Sequence, residues 1–166
     1  MEYKASKSMS VQIITIGVIL LFGFLSYRSY IGIVYSKGDT NIIIVHSLIL
    51  VTLIGTLLGC YLFAPQKYSV NGNELIIHRL ISNKIILIDS IKEIRQVDKS
   101  ELRGMIRTFG VGGLFGNYGK FRTPSLGNII MYATQNKNYV LIITDERKTI
   151  ITPDDLQIIE QIKHKN

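Results

Sequence analysis

The segment R-T-F-G-V-G-G-L-F-G-N-Y-G-K-F-R, Arg107 to Arg122, carries five of the chain's fourteen glycines and closes on two cations. It is the densest candidate for chemistry in the chain. Glycines expose backbone N–H groups that can cradle an anion, and arginine pairs with phosphate through two parallel hydrogen bonds. A nucleotide P-loop needs G-x-x-x-x-G-K-[ST], because the hydroxyl after the lysine holds magnesium. Here Gly119-Lys120 is followed by Phe121, and Leu114 stands five positions before Gly119. A dinucleotide fingerprint starting at Gly110 would need glycine where Phe115 stands. Both enzyme cradles fail. One remaining reading is architectural: the glycines make bulges or a sharp reversal between strands, with Leu114, Phe115, Tyr118 and Phe121 packing on the core or on an adjacent surface. The other is a surface, in which Phe115 and Tyr118 dip into a bilayer with Arg107, Lys120 and Arg122 over anionic lipid headgroups, or receive a protein partner.

Elsewhere the reactive residue types are scattered. His46, His78 and His164 lie far apart in the chain and Cys60 is single, so no metal-ligand spacing and no internal disulfide can be drawn. Asp154-Asp155 reads as charge complementation at a helix end rather than an acid/base pair. No nucleophile–base pair or paired catalytic carboxylates can be assembled, so neither catalytic residues, a metal nor a cofactor are expected. The charge of +7 raises nucleic acid as a partner, but no helix-turn-helix, zinc or RNA-binding signature accompanies it. Gly55-x-x-x-Gly59 is a candidate for close helix packing, against another helix of this chain or against a second copy in a homo-oligomer.

These residues sit in a chain of two unlike parts. Residues 1–65 hold uninterrupted apolar runs, whereas 66–166 alternates apolar and charged positions. The run from Val11 extends to about Ser29, with Arg28 able to snorkel and Tyr27 and Tyr30 suited to headgroup level. The run from Ile42 to Ala64 has His46 as its only ionisable group, and Pro65 stops it. The expectation is a tail at 1–10, then two transmembrane helices within 11–65, at about 11–29 and 42–64. No small-residue cleavage site follows the first run, so it does not read as a signal peptide. Lysine and arginine flank the outer ends of the pair more heavily than the loop, which favours a multi-pass protein of the cell's inner membrane with both ends cytoplasmic. Residues 66–166 carry fifteen basic against ten acidic residues, a positive surplus that suits a negatively charged leaflet.

The second part reads as short strands. Asn71-Gly72 between β-like runs marks a hairpin, Ser82-Asn83 a second turn, and Ile91, Ile94 and Val97 a turn leading into a strand. Ile129–Thr134, Tyr139–Thr144 and Lys148–Thr152 follow as three more strands. Thr152 as N-cap, Pro153 at the first helical position and an apolar face of Leu156, Ile158, Ile159 and Ile162 predict a closing helix over about 153–164. The fold class is therefore a membrane α-hairpin plus a mainly-β domain, a curved sheet or partial barrel of about seven strands plugged by a C-terminal helix.

This order of elements resembles the bacterial pleckstrin-homology-like families, and among them small membrane proteins of uncharacterised function. The motif that carries the resemblance is R-x-F-G-x-G-G-x-F-G-x-x-G at Arg107–Gly119, followed by Y-A-T at Tyr132–Thr134, the strand Val140–Ile143, and T-P-D-D at Thr152–Asp155. It covers roughly residues 65–164 and implies a PH-like fold behind paired membrane helices. It brings no reaction, ligand or functional residues. The expected function is a membrane-anchored, non-catalytic binding or regulatory module. The alternative is an immunity protein against a secreted peptide toxin, suggested by the small size of hairpin plus one domain.

Overall fold

The computed structural model describes residues 1–165. The apolar runs form α1 (Met9–Val34) and α2 (Thr40–Phe63), of 26 and 24 residues. At ~1.5 Å per residue these are about 39 and 36 Å long, against a bilayer core of roughly 30 Å. Each is long and apolar enough to cross a membrane. Ser8 caps α1 through the Val11 N–H, and the Asp39 carboxylate caps α2 through the N–H groups of Asn41 and Ile42. The link between the helices is shorter than the sequence predicts. No proline interrupts the chain after Arg28, so α1 runs on to Val34, and Lys37 and Gly38 turn the chain with positive φ. The helices meet where the His46 ring lies on Gly32, at a spot that any β-carbon would occupy.

Residues 1–10 are more than a tail. β1 (Glu2–Lys4) pairs antiparallel with β2 (Lys67–Asn71). The terminal ammonium of Met1 donates to the Val70 carbonyl at 2.8 Å, and the Ser8 N–H donates to the Thr134 carbonyl at 2.9 Å. The start of the chain is thus built into the β domain, which places the entry to α1 and the exit of α2 on the same side of the hairpin.

The β domain contains two sheets. In the first, β1 and β2 are followed by β3 (Glu74–His78) and β4 (Lys84–Leu87), in the order β1-β2-β3-β4. A short 3₁₀ turn, Ile88–Ser90, leads to the second sheet. Its strands are β5 (Ile91–Val97), β6 (Ile106–Gly112), β7 (Asn117–Thr123), β8 (Gly127–Ala133), β9 (Tyr139–Thr144) and β10 (Lys148–Ile151), in the order β5-β9-β10-β8-β7-β6. The strands beyond the sequence expectation are β1 and the pair β6–β7, the latter drawn from the glycine-rich segment. All neighbours are antiparallel except β8 and β10, which run parallel.

Alternation along the strands loads both faces of the larger sheet. Val140, Ile142 and Ile151 join Tyr68, Leu75, Ile77 and the helix α3 (Gln157–Lys163) in one core. Leu141, Ile150, Met131 and Phe121 point the other way and are covered by Leu102 and Leu126. The closing helix opens later than Thr152 because the N-terminal residues of that motif are already engaged. The Thr152 hydroxyl accepts the N–H groups of Thr134 and Gln135, and the Asp154 carboxylate accepts Ser6 and Gln135.

Tyr68 ties these layers together. Fully buried, it donates to the Tyr132 carbonyl at 2.6 Å and accepts the Thr152 N–H at 3.3 Å. Burial pushes its phenol up to about 12. Tyr68→Phe leaves both backbone groups unpaired, at a cost of about 1–3 kcal/mol. An acid whose pKa is higher folded than unfolded favours the fold below the unfolded value, so this contribution declines as pH rises through about 10 towards 12. Thermal unfolding of the full chain in detergent, followed by circular dichroism, should show a lower midpoint for Tyr68→Phe at pH 8 and a smaller gap to wild type at pH 11. Equal midpoints at pH 8 would refute the role given to this hydroxyl.

Candidate functional site

The glycine-rich segment folds as the hairpin β6–β7, reversed over Gly113–Gly116, where the Gly113 N–H donates to the Gly116 carbonyl at 2.9 Å. Gly110 and Gly119 lie opposite each other with φ of +113° and +122°. A β-carbon on either would overlap the carbonyl of the strand across, at Tyr118 and Phe109 respectively. Only glycine permits this flat, close crossing.

The tip of the hairpin grips the ends of both long helices. The Phe115 N–H donates to Thr15 Oγ1 of α1 at 2.9 Å. The Phe115 ring meets Tyr61 of α2 edge-on at 5.3 Å, with the Lys7 ammonium 5.4 Å from its centroid. The Tyr118 hydroxyl donates to the Cys60 carbonyl. Cys60 belongs to the last turn of α2, whose carbonyls have no partner inside the helix. The domain supplies two of them, Tyr118 taking Cys60 and the Ile81 N–H taking Leu62, while the C-cap Ala64 N–H takes Tyr61. Burial, reinforced by the neighbouring Cys60 side chain, raises the Tyr118 phenol well above its ordinary value, so it remains a donor at neutral pH.

Strand alternation then separates the cations that the sequence grouped. Arg107 pairs across from Phe121, while Phe109 pairs with Lys120 after a bulge at Thr108. Ile106, Phe109, Val111, Tyr118, Lys120 and Arg122 therefore share one face, and Arg107 lies on the other, laid over Gly112. Phe115 sits in the turn. On the shared face Lys120 and Arg122 are exposed, Phe109 is 75% exposed, and Tyr118 is buried at 6%. Gly55 and Gly59 do not pack on α1: a β-carbon at either has nothing within 4 Å. They instead border a groove between α2 and the hairpin.

The remaining polar candidates are structural. Asp155 accepts the Gln157 N–H at 2.8 Å at the start of α3, and His78 Nε2 lies 2.7 Å from Ser69 Oγ. No group of three or more His, Cys, Asp and Glu gathers among the described residues. The charged stretch Lys99–Arg103, which reads as a solvated loop, is tied down by Glu101, which accepts Arg95 Nη1 at 2.9 Å and Nη2 at 2.7 Å. Sequence reasoning also missed Arg79, which lines the groove beside α2; its only signal was a lone cation at the end of an apolar strand.

Residues 66–166 match the model of a family described as Bacterial PH domain. No curated protein and no solved structure matches the chain.

The docking geometry can be broken in two independent ways. Tyr118→Phe leaves the Cys60 carbonyl unpaired and should destabilise the full chain by about 1–3 kcal/mol. Gly119→Val forces the β6–β7 crossing apart and should in addition open Ile106–Thr123 to limited proteolysis in detergent. Gly17→Val, at an open helix position, is the control. Proteolysis of Gly119→Val no faster than that of the control would contradict the crossing.

Proposed function

The chain belongs to the bacterial PH domain family, and from that premise we propose that it is a non-catalytic binding and regulatory module anchored in the inner membrane. On this reading α1 and α2 cross the bilayer and the β domain stands at its cytoplasmic face. The observation that carries it is the engagement of the α2 end by the domain: with Cys60, Tyr61 and Leu62 carbonyls bonded by domain or linker N–H and O–H groups, the β domain is a fixed extension of the helices.

The face that this fixation presents is amphipathic. Ile106 and Phe109 are 69% and 75% exposed, with Lys120 and Arg122 on the same side. Exposed large apolar groups beside cations suit an anionic leaflet, where the apolar side chains enter the interface and the long basic side chains reach phosphate. Adjacent to membrane helices, this arrangement favours the bilayer itself as the first surface the module contacts.

The chain has no tryptophan, so Phe109→Trp gives a single reporter. In phosphatidylglycerol vesicles its emission should be blue-shifted and quenched by brominated lipid chains. Unquenched emission at the wavelength of indole in water would refute contact between this face and the bilayer. Orientation has its own test, because Cys60 is the sole cysteine. In a Cys60→Ser background, Lys37→Cys should label with a membrane-impermeant maleimide on intact spheroplasts, and Lys99→Cys only after lysis. The reverse pattern would invert the topology.

A further inference from the structure

A groove of about 550 Å³ runs between α2 and the β6–β7 hairpin, within the roughly 300–1,000 Å³ range of small-molecule sites. Gly55, Gly59 and Phe63 form its helical wall; Phe109 and Tyr132 face them, and Arg79 closes one end. The two ends differ in chemistry and in depth. Arg79 stands at the end of α2, where the neighbouring Ile81 N–H meets the Leu62 carbonyl at 3.1 Å. Gly55 lies eight residues earlier on the helix, about 12 Å further from the domain at ~1.5 Å per residue.

Arg79 is held in place without being neutralised. Its guanidinium lies 5.5 Å from the Phe63 ring and 5.9 Å from the Tyr132 ring, and Nε and Nη2 donate to the Ser82 carbonyl. Among the described residues no carboxylate forms an ion pair with it. A cation fixed between aromatic faces with an unused fork of donors at Nη1 is complementary to a phosphate. The apolar trough leading from it along α2 has room because no β-carbon projects at Gly55 or Gly59.

We infer that this groove holds one phospholipid from the leaflet on the domain side, its phosphate on Arg79 and one acyl chain along Gly55 and Gly59. The inference rests on the membrane setting proposed above and names a ligand for it. Polarity decides the occupant. A lipid in that leaflet has its charge at the depth of Arg79 and its hydrocarbon at the depth of Gly55. A second copy's apolar helix would fill the trough and leave the arginine without a counter-charge.

The test is native mass spectrometry of the full chain released into detergent from phosphatidylglycerol nanodiscs. Wild type and Gly17→Leu should retain one phosphatidylglycerol. Arg79→Gln should retain roughly tenfold less, the loss expected on removal of a charge-assisted hydrogen bond. Gly59→Leu fills the trough while keeping a good helix former, and should lose the adduct to a similar degree. Melting midpoints of each variant show whether it is folded, and either groove variant alone suffices. Equal retention across all four proteins would overturn the inference, as would a dimer that Gly59→Leu abolishes in place of a lipid adduct. Quenching of an Ile106→Trp reporter, on the same exposed face but outside the groove lining, reads the membrane contact separately, so a quenched reporter there with no retained lipid discards the bound lipid and leaves the membrane-facing module standing.

Discussion

The last four carbonyls of any α-helix find no partner within it, and in α2 they belong to Cys60, Tyr61, Leu62 and Phe63. Water satisfies such groups where a helix end is exposed, but one buried without a partner costs about 1–3 kcal/mol. Three of the four are satisfied by residues C-terminal to the helix, and two of those by the β domain itself, through Tyr118 and Ile81. The position of the domain is set by this requirement. A hinge between Phe63 and β2 would break those bonds.

Other contacts reinforce the joint unequally. The ion pair between Lys67 and Glu2 links β1 to β2 at 2.6 Å, but both side chains are largely exposed, and such pairs contribute ~0–1 kcal/mol. The buried partners of β1, Tyr3 and the backbone ladder, matter more to holding the first residues on the sheet. The close crossing of Gly110 and Gly119 brings the hairpin tip to both helices at once, with Thr15 and Tyr61 on Phe115 and Cys60 on Tyr118. The same crossing leaves β6 as an exposed sheet edge with Phe109 outward. Stability at the joint and an exposed amphipathic face therefore come from one segment.

The sequence by itself determined the two-part architecture, because it rests on local patterns: long uncharged runs for α1 and α2, Asn71-Gly72 for the β2–β3 hairpin, and alternation for β8, β9 and β10. It also marked the glycine-rich segment as special. Only the tertiary structure decided that this segment is a strand pair, because glycine carries no side-chain periodicity from which a strand could be read. The division of Arg107 from Lys120 and Arg122 likewise depends on a bulge at Thr108, one extra residue whose presence only pairing with β7 defines. Thr152 and Asp154 carry all the local marks of a helix start, yet partners distant in sequence, Thr134, Gln135 and Ser6, claim them first. Arg79 acquires its meaning only when α2 and β8 bring Phe63 and Tyr132 around it. Local periodicity fixes which elements form; which faces meet is set by contacts between residues far apart in the chain, and no window of sequence contains those.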